Sequence, residues 1–94
     1  MLEKTITRQI TSYLKQFENC FFWKEHGGQF GTAGIPDIIC CINGKFVAFE
    51  VKVPGGKLTP LQEITIQRIK AAKGKAFKVT SIEEVKTILE TLEE

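Results

Sequence analysis

Apolar residues recur along the chain with two different periods, and the switches between them outline seven elements. Ile6, Ile10, Tyr13, Leu14 and Phe17 fall at helical spacing, which predicts a helix over residues 3–17. The aromatic-rich segment Cys20–His26 reads as a strand, and the glycine-studded residues 27–36 read as a loop or irregular hairpin. "DIICCI" (37–42) and "KFVAFEVKV" (45–53) are predicted strands joined by Asn43-Gly44, a strong short hairpin signal. After the turn "PGGK" (54–57), Thr59 as N-cap, Pro60 at the first helical position and Gln62 at the capping-box position open a helix predicted to reach Lys73 and stop at Gly74. "AFKVT" (76–80) is a last short strand. Ser81 and Glu84 form a further capping-box pattern before a helix with Ile82, Val85, Ile88, Leu89 and Leu92 on its apolar face. The order α-β-β-β-α-β-α predicts one α/β domain over residues 1–94, a mixed sheet flanked by helices.

Two charges interrupt the most hydrophobic of these strands, Glu50 and Lys52 within "KFVAFEVKV". A two-residue Asn43-Gly44 turn pairs Ile42 with Lys45 and, counted outward, Asp37 with Glu50. Absent a bulge, the two acids stand opposite each other with β-carbons about 4.5–5.5 Å apart, and Lys52 shares their face. Like charges so placed repel unless something positive lies between them. A salt-bridged cluster on a solvated face and a divalent-cation site both meet that requirement. Phe46 and Ala48 make the same face partly apolar, which raises the cost of unpaired charge, and Mg²⁺ ordinarily takes one or two protein carboxylates plus waters. Two more polar residues fall on apolar faces. Glu3 shares the stripe of Ile6 and Ile10, where it also suits the positive end of its helix; Gln62 shares the face of Leu58, Ile66 and Ile69, where it also completes the cap.

Composition narrows the class. Ninety-four residues, 43% hydrophobic and 26% charged, suit a soluble globular chain, with no apolar run of membrane-spanning length and no secretory leader pattern. A cytoplasmic setting is expected, with Cys20, Cys40 and Cys41 as buried free thiols and the adjacent pair on opposite strand faces. The net charge of +2 conceals a polarity: residues 81–94 carry five acids against Lys86, a balance of −4, which leaves +6 on the first eighty residues. That excess suits a polyanionic partner or merely solubility. One histidine with no CxxC or HxxxH spacing argues against a zinc centre, and "GGQFGTAG" lacks the Gly-Lys-Ser/Thr of a phosphate-binding loop.

The motifs "GIPD" (34–37), "FEVK" (49–52) and "GGKLTPLQ" (55–62), with Glu3 and the element order, resemble the VRR-NUC branch of the PD-(D/E)XK nucleases. The resemblance implies a restriction-endonuclease-like core and a Mg²⁺- or Mn²⁺-dependent DNA endonuclease. It implies that Asp37 and Glu50 bind the metal, with the Val51 carbonyl as a further ligand, that Lys52 serves the attacking water, and that Glu3 (through water) and Gln62 support the site. Single-domain members resemble phage or viral proteins that dimerise and cut branched DNA, four-way junctions included; such a chain works in the bacterial host cytoplasm. The residues themselves add Lys24, His26, Lys57 and the loop around Gly28 as weaker candidates for phosphate contact. A dimer surface is expected at the glycine loop or the outward part of "CFFW", against the simpler expectation that those aromatics fill the core. Two other readings stay open: a catalytically weak DNA-binding module of the same fold acting with a helicase or other partner, and a protein-interaction domain with a surface charge cluster.

Overall fold

The computed structural model describes residues 1–26 and 33–92. Three helices, α1 (Glu3–Leu14), α2 (Pro60–Ala71) and α3 (Ile82–Leu92), flank one sheet of four strands, β1 (Cys20–Lys24), β2 (Ile38–Ile42), β3 (Lys45–Val51) and β4 (Lys75–Val79). The spatial order is β1-β2-β3-β4; the first two pairings are antiparallel and β3 with β4 is parallel, as the intervening crossover helix α2 requires. The expected element order is therefore the observed one. No helix among the described residues is long and apolar enough to cross a membrane.

Asn43 and Gly44 both adopt positive φ, 51° and 79°, the pattern of a tight turn whose twist matches its strands. Ile42 pairs with Lys45 and the ladder runs without a bulge to Ile38 opposite Phe49, as the turn predicts. Side-chain alternation then divides the sheet. One face presents Ile38, Cys40, Ile42, Val47, Phe49, Val51 and Val79 to α1 and α3, whose Ile6, Ile10, Leu14, Val85 and Leu89 complete a fully buried cluster. The other presents Ile39, Ala48 and Ala76 to Ile66 of α2, with Ile35, Leu58 and Ile69 packed around them.

Three helix ends differ from expectation. Helix α1 stops at Leu14 rather than residue 17, though Phe17 still packs on the core and meets Tyr13 edge-on at 5.1 Å. Helix α2 stops at Ala71, and the left-handed residue that ends it is Lys73 (φ 73°), not Gly74. Gly74 is needed for a different reason: a β-carbon there would lie 2.9 Å from Ile69 Cγ2 and 3.0 Å from Phe46 Cδ1. At α3 the Ser81 hydroxyl accepts from the Glu84 N–H (3.2 Å), but Glu84 reaches back to the N–H and hydroxyl of Thr80 instead of Ser81. Of the cysteines, Cys40 is buried and Cys41 points the opposite way, as alternation requires; Cys41 is exposed, however, and Cys20 half-buried. All three are free thiols.

Candidate functional site: a crowded carboxyl pair at the end of the hairpin

Asp37 is delivered by the short wedge that precedes β2. Gly34 adopts φ +84° and lies so close to α2 that a β-carbon would come within 2.8 Å of Leu61 Cγ and 2.9 Å of Thr65 Oγ1. Only glycine meets both demands. Ile35 then packs under α2 and Pro36 is fully buried, so Asp37 starts from a fixed backbone. Its Oδ2 accepts a 2.7 Å hydrogen bond from the Val51 N–H, tying the loop to the far end of β3.

Glu50 lies one residue before Val51 and is only 3% exposed. Burial is the largest influence on its carboxyl, followed by a hydrogen bond to the Asp37 carboxyl and the charge of Asp37; together they push its pKa up to about 8. Lys52 opposes that rise and Glu3 adds slightly to it. A carboxyl–carboxyl hydrogen bond needs a proton, so near neutral pH the pair holds one between them. The register inferred from the Asn43-Gly44 turn thus brings Asp37 and Glu50 into direct contact, and Lys52 supplies less positive charge than two ionised acids require.

The end of β3 is held firmly. The Lys52 N–H donates to the Val79 carbonyl at 2.9 Å, and the turn closes with Gly56 N–H to Val53 O at 2.8 Å, Gly55 taking φ +85° after Pro54. Gly56 is pressed against the stem of Lys52, where a β-carbon would stand 3.2 Å from Lys52 Cβ. The "VPGGK" segment therefore fixes the root of the lysine side chain. On α2, Thr59 and Gln62 form the full reciprocal box: the Thr59 hydroxyl accepts from Gln62 N–H (3.2 Å) and Gln62 Oε1 accepts from Thr59 N–H (2.9 Å). The amide oxygen of Gln62 is thereby committed to the cap.

The other candidate residues lie farther out. Glu3 is exposed in the first turn of α1, not on its buried stripe; its charge is felt at Glu50, but it completes no three-ligand cluster, and none exists among the described residues. Lys24 pairs with Ile38, which puts it on the α1 side of the sheet, opposite to the acids. Lys57 is exposed beyond the turn, and His26 is exposed just past β1. Gly28, with the loop proposed to face DNA, lies outside the described residues. The donors that could hold a divalent cation are Asp37 and Glu50, completed by backbone carbonyl oxygen such as that of Val51 and by water; two carboxyls, hard oxygen donors with a surplus of negative charge, fit Mg²⁺ or Mn²⁺.

One acid escaped the sequence reading. The Glu25 N–H donates to the Asp37 carbonyl at 2.7 Å, extending the β1–β2 ladder by one pair and placing Glu25 beside Asp37. Its Oε2 accepts from Trp23 Nε1 at 3.0 Å. An eleven-residue connection (26–36) separates Glu25 from Asp37 in place of a tight turn, so no count from the sequence could set this register.

The arrangement is a mixed four-stranded sheet flanked by helices, with an acid pair at the open end of its central hairpin. The chain superposes on a solved structure described as a VRR_NUC domain with a TM-score of 0.78 over 94% of both chains, at 21% sequence identity. It has the VRR-NUC fold. No family model and no curated protein matches the sequence.

Proposed function

We propose that the protein is a metal-dependent DNA endonuclease and that Asp37, Glu50 and Lys52 are its catalytic set. The observation that carries this reading is the Asp37–Glu50 pair, a half-buried carboxyl set against a buried one, whose crowding favours a shared proton until a cation replaces it. Bound there, Mg²⁺ or Mn²⁺ supplies the positive charge that neutralises the acids and the scissile phosphate. Asp37 and Glu50 are the ligands, with the Val51 carbonyl beside them. Lys52 is rooted against Gly56, and its charge is felt at Glu50; its part is to orient the attacking water and offset charge on the phosphate. Glu3 and Gln62 are positioning residues at the periphery. The likeness in fold to a VRR-NUC domain supports DNA as substrate.

Branched DNA and a symmetric dimer complete the proposal: a single domain of this size offers little surface to a junction, and a two-fold dimer would present two sites to a two-fold substrate. The test is incubation with a labelled four-way junction and the matching linear duplex, with Mg²⁺, Mn²⁺ or EDTA. Junction cleavage that needs a cation, and that Lys52→Ala abolishes while binding persists, is the expected result. Binding without cutting at any metal concentration would instead make the chain a binding module acting with a helicase or other partner.

A further inference from the structure

The face that carries Asp37 and Glu50 is only half covered. Helix α2 and Leu58 close it over Ala48, Ala76 and Ile39, and among the described residues nothing covers the β1–β2 side, where Phe21 and Trp23 are exposed. In register across that open side lie Phe21 beside Cys41 beside Phe46, with Trp23 one row nearer the acids. Phe21 is 69% exposed, Trp23 46% and Phe46 42%. Phe21 and Trp23 stand 6.1 Å apart with rings tilted by 54°, and the Trp23 indole is anchored by its hydrogen bond to Glu25. Three aromatic rings held outward on one sheet face are an expensive surface for water and a ready platform for flat, apolar rings.

The far end of this strip is basic. Phe46 borders a cavity of about 630 Å³ that Lys45, Lys73 and Lys75 also line, and Lys70, Lys73 and Lys75 line the adjoining one of about 500 Å³. Neither is lined by an acid among the described residues. Lys73 holds a left-handed backbone, φ 73°, at the position where a helix end ordinarily takes glycine. From Phe46 to Glu50 is four residues of strand, about 13 Å. The strip therefore joins a cation cluster at one end to the acid pair at the other.

We infer that this open face binds an unpaired strand of nucleic acid, its bases stacked on Phe21, Trp23 and Phe46 and its phosphates met by Lys70 and Lys73 at the end of α2, so that the strand leads toward Asp37 and Glu50. The inference rests on the nuclease reading of the acid pair for its direction, not for the binding itself. Aromatic rings alone would suit a protein partner equally; rings that run into uncompensated lysines suit a polyanion with π-faces, which is the make-up of single-strand binding surfaces.

Two native reporters lie in the strip. Trp23 is the only tryptophan, and Cys41 is the exposed thiol, whereas burial raises the Cys20 thiol and pushes Cys40 up to about 12. The intact protein in EDTA at low salt is titrated with an oligothymidylate of about eight residues, and with a duplex of that length. Expected are saturable quenching of Trp23 and slowed alkylation of Cys41 by the single strand and not by the duplex, with affinity lowered about tenfold in Phe21→Ala, a loss in keeping with one stacked base. In Lys70→Gln/Lys73→Gln the slope of log affinity against log salt falls by about 1.4, near 0.7 for each phosphate left without its lysine. Unchanged Trp23 emission and Cys41 reactivity overturn the inference. So does a Phe21→Ala variant that changes sedimentation mass but not oligonucleotide affinity, which would assign the face to a second copy. Because binding is read without metal, a strand that binds and is never cut removes the nuclease reading alone. A junction that is cut while Trp23 stays silent removes this inference alone.

Discussion

The two faces of one sheet have been put to different uses. On the α1/α3 side Ile38, Cys40, Ile42, Val47, Phe49, Val51 and Val79 are all apolar and buried, and Phe49 stacks on half-buried Phe77 at 6.3 Å. On the α2 side, the same strands carry an acid pair at one end, small residues under the helix, and exposed rings where the helix does not reach. Strand alternation is what permits this: residues 47, 49 and 51 can hold the fold while 46, 48 and 50 are released from that duty. Stability and chemistry are thus separable by residue parity within a single seven-residue strand.

The largest expected effect breaks the covered face. Phe49→Ala removes a fully buried ring and should cost about 3–5 kcal/mol, a large part of the stability of a domain this size. Phe21→Ala, two strands away on the open face, should cost less than about 0.5 kcal/mol. Urea unfolding of both variants measures the contrast. Comparable losses would mean that the open face is structural after all.

Next comes the acid pair itself. Asp37→Asn should lower cleavage by roughly a thousandfold, about 4 kcal/mol of transition-state stabilisation. In thermal unfolding, Mn²⁺ should raise the midpoint of the wild-type protein and leave that of Asp37→Asn nearly unmoved. An equal rise in both would count against the site. Without metal the variant should be no less stable than wild type, because it discharges one of two crowded acids.

The shift at Glu50 makes a third, subtler test. Its carboxyl binds a proton more tightly in the folded chain, at about 8, than in the unfolded chain, at 4.5. Its contribution to stability is therefore complete below about pH 4.5 and is lost as pH rises through about 8, flat on either side. In EDTA the melting temperature should fall by several degrees across that window, and Glu50→Gln should remove the fall. A cation takes over the role of the proton, so the Mn²⁺-induced rise should be greater at pH 8 than at pH 6. A wild-type profile parallel to that of Glu50→Gln would show that the pair is not crowded.

What the sequence made legible follows the same division. Asn43-Gly44 determines a register, and from it the meeting of Asp37 with Glu50 is a matter of counting. The caps at Thr59 and Ser81 are local, and local patterns announce themselves. Glu25 and the outward turn of Phe21 and Trp23 depend on how β1 docks across a long connection, and on how far α2 extends over the sheet. No nearby residue encodes either. The exposure of Glu3 was hidden for a related reason: helical spacing places it on the stripe of Ile6, but spacing alone does not say how far along a helix burial extends, and here it begins at Ile6.

Residues 73 and 74 offer the smallest and most pointed test. A helix end with glycine at position 74 suggests that the glycine takes the left-handed conformation, yet Lys73 takes it and Gly74 is reserved for contact with Ile69 and Phe46. A left-handed non-glycine residue costs about 1–2 kcal/mol, and glycine in its place forfeits about 0.5–1 kcal/mol to the greater freedom of the unfolded chain. Lys73→Gly should therefore stabilise the protein by about 0.5 kcal/mol, a difference obtained from the two preceding terms. Gly74→Ala should instead destabilise it by about 1–2 kcal/mol, since its methyl overlaps two packed side chains. Paired chemical denaturation of the two variants resolves both signs. If Lys73→Gly gains stability and loses affinity for the oligonucleotide, then the strained backbone is kept for the charge it carries. If it gains stability at no such loss, the lysine has no part in the basic end of the open face.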